Sequence, residues 1–242
     1  MEIRIFENPT KLGCAAAALA ADIINAAIAE RGEARIILST GASQFDTLEA
    51  LTKLPVDWSR VDMFHLDEYI DLPETHPASF RKYLRERFIE KLPIPLRSAN
   101  LVSGEESDIE ALSARLVSGK IDLGLIGIGE NAHIAFNDPP ADFGARESYI
   151  VVKLDEACRR QQLGEGWFDS LDAVPTHAVS MTPYRIMQCE NIISAVPYAV
   201  KREAVRRVLT AKETTPAVPA TLLREHKNFT LFLDLDSSGI GG

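Results

Sequence analysis

The residues most able to do chemistry are packed into one stretch, GIGENAHIAFNDPP at 127–140. It follows an apolar run with no charge after Asp122, and it sets one imidazole, two amides and two carboxyl groups within nine residues. A buried strand that ends in a G-x-G turn and then His133 delivers an imidazole to the rim of a sheet. Asp138 is close enough in the chain to orient that imidazole if the loop folds back, which is a pattern for proton transfer. A lone histidine is more often structural than catalytic, so His133 gains weight only from its neighbours.

Two other clusters stand at similar places. In MFHLDEY, alternation puts Phe64 and Leu66 on one face, and the strand ends at Asp67, Glu68 and Tyr69. Acids there can reach a ligand or simply be a solvated strand end. In ILSTGASQFDTL, a strand passes through Ser39, Thr40, Gly41, Ala42 and Ser43 into a helix carrying Phe45 and Leu48. Such small residues let backbone N–H groups close on an anion at a helix start. The turn lacks the lysine of a P-loop and the spacing of a dinucleotide fingerprint, and an ordinary turn capped by Ser43 reads equally well.

Lys201 has its own argument. If a helix starts near Ala199 after a strand at 192–196, Lys201 and Arg202 lie in its first turn, where the macrodipole disfavours cations by about 0.3–1 kcal/mol each. A bound anion reverses that cost; the plainer reading is a solvated helix residue.

These clusters need elements to hold them. Short β-branched runs at 36–38, 61–66, 121–128, 178–181, 192–196 and 229–233 read as strands, separated mostly by enough chain for a helix. Thr10 is placed to cap a helix through Leu12, Ala16, Leu19, Ile23 and Ala27. Phe80, Tyr83, Leu84 and Phe88 mark another after Pro77. The alternation predicts an α/β fold, a mostly parallel sheet with helices on both faces, in which ligands bind beyond the carboxyl ends of the strands.

At 242 residues, 46% hydrophobic and 25% charged, the chain fits a single domain with one sizeable core. A net charge of −9 and a pI near 5.1 argue against a nucleic-acid partner, so an anionic ligand requires a local positive site. Cys14, Cys158 and Cys189 are widely spaced and odd in number, as expected of ordinary thiols in a reducing compartment. The apolar stretch 14–21 is cut by Asp22, too short for a bilayer, so no membrane partner and a cytoplasmic location are expected. Subunit number is left open, a homo-oligomer included.

In order and spacing over nearly the whole chain, STGAS, LDEY and GIGENAHIAFNDP resemble the glucosamine-6-phosphate deaminase/isomerase family. The resemblance implies a modified Rossmann-like domain that converts a 2-amino aldose 6-phosphate to fructose 6-phosphate and ammonia, with no metal or organic cofactor. Matched by position, Asp67 is the base that moves a proton between C2 and C1, and His133 opens the sugar ring. Asn131 and Asp138 tune and orient His133, while Ser39, Thr40, Gly41, Ala42, Ser43 and Lys201 hold the phosphate. The pattern departs at Asn131, where many members carry Asp, at Asp138, where they carry Glu, and at Gln162, where the family places an arginine on the phosphate. Arg159 or Arg160 is the expected substitute. The alternatives are a 6-phosphogluconolactonase-like hydrolase, against which Tyr69 and HIAFN speak, and a non-catalytic phosphosugar-binding sensor.

Overall fold

The computed structural model describes residues 1–164 and 166–240. The chain runs β1 (Glu2–Phe6), α1 (Pro9–Arg31), β2 (Ala34–Leu38), α2 (Phe45–Thr52), β3 (Val61–His65), β4 (Asp67–Tyr69), α3 (Phe80–Arg87), β5 (Ser98–Asn100), α4 (Ile109–Val117) and β6 (Ile121–Leu125). It continues through β7 (Tyr149–Lys153), α5 (Glu156–Gly164), β8 (His177–Met181), α6 (Pro183–Ile186), β9 (Cys189–Val196), α7 (Arg202–Thr210), β10 (Phe229–Asp234) and α8 (Leu235–Ser238).

Seven strands form one sheet in the order β1-β10-β9-β6-β2-β3-β5, every pairing parallel. From β2 the chain moves outward to β3 and β5, and from β6 it moves the other way to β9 and β10. The connections therefore diverge between β2 and β6, and the crevice beyond their carboxyl ends is where such sheets bind ligands. On one face, Leu12, Ala16, Ala20 and Ile24 of α1 pack with Leu48 and Leu51 of α2 and Leu84 of α3. On the other, Leu112 and Leu116 of α4 and Val205 and Val208 of α7 meet Ile37, Phe64 and Ile192. This is the expected Rossmann-like α/β architecture.

The structure also corrects the expected elements. Residues 61–66 are not one strand running to the acids: the chain turns at Leu66, whose N–H bonds Leu38 and whose carbonyl accepts Met181. Asp67–Tyr69 then joins a second, antiparallel sheet, β4-β8-β7. The run 178–181 thus belongs to this small sheet. Asn8, not Thr10, caps α1, its side chain accepting from Lys11 at 2.9 Å. Pro9, preset for the first helical position, moves the cap upstream of itself. The strand of 121–128 ends at Leu125, and Ser43 caps nothing: the chain passes through a 3-10 turn, Ala42–Gln44, into α2 with no side-chain cap. By length and composition α1 is long enough to cross a membrane, unlike the stretch 14–21 read alone, but here its alanine face is packed into the core.

Candidate active site

The two loops at the switch point are stitched together. Ser39 N–H bonds the carbonyl of Leu125 at 3.0 Å, and Ser39 Oγ accepts the N–H of Gly127 at 3.0 Å. Gly41 adopts φ 102, ψ 161, open to glycine alone, and its carbonyl accepts the Tyr83 hydroxyl at 2.9 Å. Ala42 and Ser43 then begin a 3-10 turn, where the first amides have no preceding helical carbonyl to bond. Gln44 ties this turn to the strand leading towards Lys201, its amide donating to Ala195 at 3.1 Å. Lys201 closes the 3-10 turn Ala199–Lys201 and is the N-cap residue of α7, so the α-helix begins at Arg202 rather than near Ala199 and Lys201 stands just before its first turn.

The histidine loop is held as a closed ring. Gly129 N–H bonds the His133 carbonyl at 2.9 Å, and Ala132 N–H bonds Gly129. Asn131 accepts the His133 N–H at 2.9 Å and donates its amide to Asp138 Oδ1 at 2.8 Å. Asp138 Oδ1 stands 3.2 Å from His133 Nδ1, a contact that is ionic only when the ring is protonated. The imidazole lies directly on Gly129, where a Cβ would come within 2.2 Å of Nε2. Arg207 of α7 grips the carbonyl of Asn131 at 3.1 Å. Burial favours a neutral Asp138, but contacts with His133, Asn131 and the Cys158 thiol prevail and hold its pKa at about 2.

The two acids of LDEY have opposite surroundings. Glu68 is fully buried and accepts from Ser79 Oγ, the N–H groups of Tyr69, Phe80 and Arg81, and Arg81 Nε, so it fastens the start of α3. A carboxylate at a helix N-terminus is at ease with the dipole. Asp67 is 6% exposed, and among the described residues no donor satisfies its carboxyl. Burial, reinforced by the Glu68 charge, pushes its pKa up to about 8.

Ser180 connects Asp67 to the histidine loop. It pairs with Asp67 across the β4–β8 ladder, and its buried hydroxyl accepts Phe136 N–H at 3.1 Å and the Asn137 amide at 3.3 Å. The acid strand and the histidine loop are thereby tied to one residue.

Gln162, Arg159 and Arg160 all have partners in the structure. Gln162 is buried and accepts the Tyr69 hydroxyl at 2.5 Å, within a cluster of Tyr69, Phe80, Phe136 and Phe168. Arg159 donates to the carbonyls of Val174 and Leu171, and Arg160 pairs with Glu156 at the surface. Neither bonds the 39–43 turn. Sequence reasoning also passed over His65, fully buried beside the site, whose two ring nitrogens have no hydrogen-bond partner and whose pKa burial lowers to about 3. Among the described residues no group of His, Cys, Asp and Glu is arranged to hold a metal ion. A surface groove between α2 and α3, lined by Phe45, Glu49 and Arg87 among others, includes none of the expected site residues.

The chain is a Rossmann-like α/β enzyme. The chain belongs to the glucosamine-6-phosphate isomerase/6-phosphogluconolactonase family, whose model matches residues 7–232. It is 31% identical over 241 residues to a glucosamine-6-phosphate deaminase of Bacillus cytotoxicus, covering 98% of this chain and 88% of that one. It is 33% identical over 224 residues to a glucosamine-6-phosphate deaminase of Clostridium acetobutylicum, covering 89% and 91%. A solved structure of a monomeric glucosamine-6-phosphate deaminase superposes with a TM-score of 0.87 at 29% identity, covering 99% of this chain and 100% of that one. A 6-phosphogluconolactonase of Trypanosoma brucei shares the fold, with a TM-score of 0.79 at 19% identity over 100% and 98% of the chains.

Proposed function

We propose that the chain is one catalytic domain that converts glucosamine 6-phosphate and water to fructose 6-phosphate and ammonia in the cytoplasm. The observation that carries this reading is the contrast between the two acids: Glu68 is saturated with donors, while Asp67 is buried, undonated and raised to about 8. A free carboxyl in that state is largely protonated at neutral pH. A 2-ammonium group bound beside it favours the carboxylate, so an amino sugar creates its own base and a 2-hydroxy sugar does not.

In this scheme the phosphate sits at Ser39, Thr40, Gly41, Ala42 and Ser43 with Lys201 beside it, drawn by the helix starts. His133, oriented by Asp138 and Asn131, gives a proton to the ring oxygen while the C1 hydroxyl loses one, which opens the sugar. Asp67 takes the C2 proton and returns it to C1, while one proton passes from the 2-ammonium group to O1, leaving a C1 hydroxyl and a protonated imine at C2. Water adds there and ammonia departs, which balances the reaction without a redox partner.

The test is to incubate the protein with glucosamine 6-phosphate and assay fructose 6-phosphate and ammonia together. Both should appear in equal amounts, and Asp67→Asn should abolish both. Lack of turnover on every 2-amino and 2-hydroxy hexose 6-phosphate tried would count against the assignment.

A further inference from the structure

Tyr198 stands in backbone geometry that a bulky residue rarely adopts, with φ 81 and ψ 145. That region is open almost only to glycine, and a tyrosine stays there only where its surroundings impose it. Three contacts do so. Its N–H donates to Asp234 Oδ2 at 3.0 Å, and its carbonyl accepts the N–H of Lys201 at 3.0 Å, closing the turn that carries the lysine. Its phenol faces the Asp46 carboxylate in the first turn of α2, which also accepts the Thr10 hydroxyl at 3.1 Å.

We propose that Tyr198 is a positioning residue: its strained peptide sets the lysine turn, and its phenol braces that turn against the start of α2, so that Lys201 and residues 39–43 face one phosphate. The brace works with the Gln44 contact to Ala195 and the Tyr83 contact to Gly41, which fix the same small-residue turn from two other sides. Tyr198 itself touches neither reacting carbon. The inference rests on the phosphosugar reading above and adds to it a determinant of phosphate affinity.

The experiment compares wild type, Tyr198→Phe and Tyr198→Gly by calorimetry with fructose 6-phosphate, by KM and kcat on glucosamine 6-phosphate, and by melting. Tyr198→Phe should bind about three- to tenfold more weakly, as expected for a lost polar contact to a carboxylate, with kcat within about twofold. Tyr198→Gly relieves the positive φ, so it should melt no lower than wild type and still raise KM at least as much; a merely structural role would not split the two readouts in that direction. If wild type binds fructose 6-phosphate and both variants match its affinity within about twofold, the brace is refuted while the phosphosugar reading stands. Wild type that binds no hexose 6-phosphate refutes both.

Discussion

Asn131 donates its side-chain amide to Asp138 Oδ1 at 2.8 Å, the same oxygen that lies 3.2 Å from His133 Nδ1. One carboxylate oxygen is therefore shared between an amide and an imidazole, and Asn131 supplies a donor where a second carboxylate would meet like charge.

Asn131→Asp should therefore trade about 1.5–3 kcal/mol of charge-assisted hydrogen bond for repulsion with Asp138 at neutral pH. The loss should shrink on acidification as one of the two acids protonates. The added charge should also shift the pH profile of kcat. A variant as stable as wild type at pH 7, with an unmoved pH profile, would show that the two side chains do not communicate.

The pH dependence should carry the mark of Asp67. With its folded pKa raised to about 8 from an ordinary value of 3.8, kcat/KM should climb with pH through about 8 as the free carboxyl ionises. The sign for stability is opposite. A raised carboxyl favours the fold fully below its unfolded pKa, and that support is lost as pH rises through the folded pKa. Asp67→Asn should thus lower turnover by about 10²–10⁴-fold and yet resist urea better than wild type at pH 8, with the gap closing near pH 4. Equal stability of the two proteins across that range would mean that Asp67 is solvated.

Much of this was legible in the sequence because local rules governed it. The glycine-framed histidine loop, the small-residue turn after β2 and the parallel strands all follow from short-range pattern and backbone preference. The second sheet was not legible, since β4 is three residues long and its partner β8 lies far along the chain. Its pairing is decided by tertiary contact at Leu66 and Met181 rather than by propensity. For the same reason nothing near LDEY in sequence announces Ser180 as the residue that joins Asp67 to the histidine loop. The distinct fates of Asp67 and Glu68 were hidden as well, because only the arrival of α3 saturates the latter. The polar β5 gave a weak strand signal, whereas EIRIF of β1 alternates and YIVVK of β7 is a β-branched run, both signals that were passed over.

Gly129 gives the sharpest steric prediction. A Cβ at this position would lie within 2.2 Å of His133 Cε1 and Nε2, so Gly129→Ala must displace the imidazole. A shift of about 1 Å in a catalytic group can cost about 10²-fold in rate. The variant should lose kcat on that scale and retain its affinity for fructose 6-phosphate, because the 39–43 turn is untouched. Unimpaired turnover would show that the ring need not occupy the place seen here.

Tyr69 and Gln162 form a buried pair whose energetics are testable separately from catalysis. The Tyr69 hydroxyl bonds Gln162 Oε1 at 2.5 Å within an aromatic cluster. Tyr69→Phe leaves the buried amide without its donor, which should cost about 1–3 kcal/mol in urea unfolding. Gln162→Leu removes the hydroxyl's Gln162 acceptor instead and should cost a similar amount. The double variant removes both polar partners, so its loss should be clearly less than the two single losses combined. Strict additivity would mean that the pair is not coupled in solution, and that Gln162 is free to leave the aromatic cluster for another partner when substrate binds.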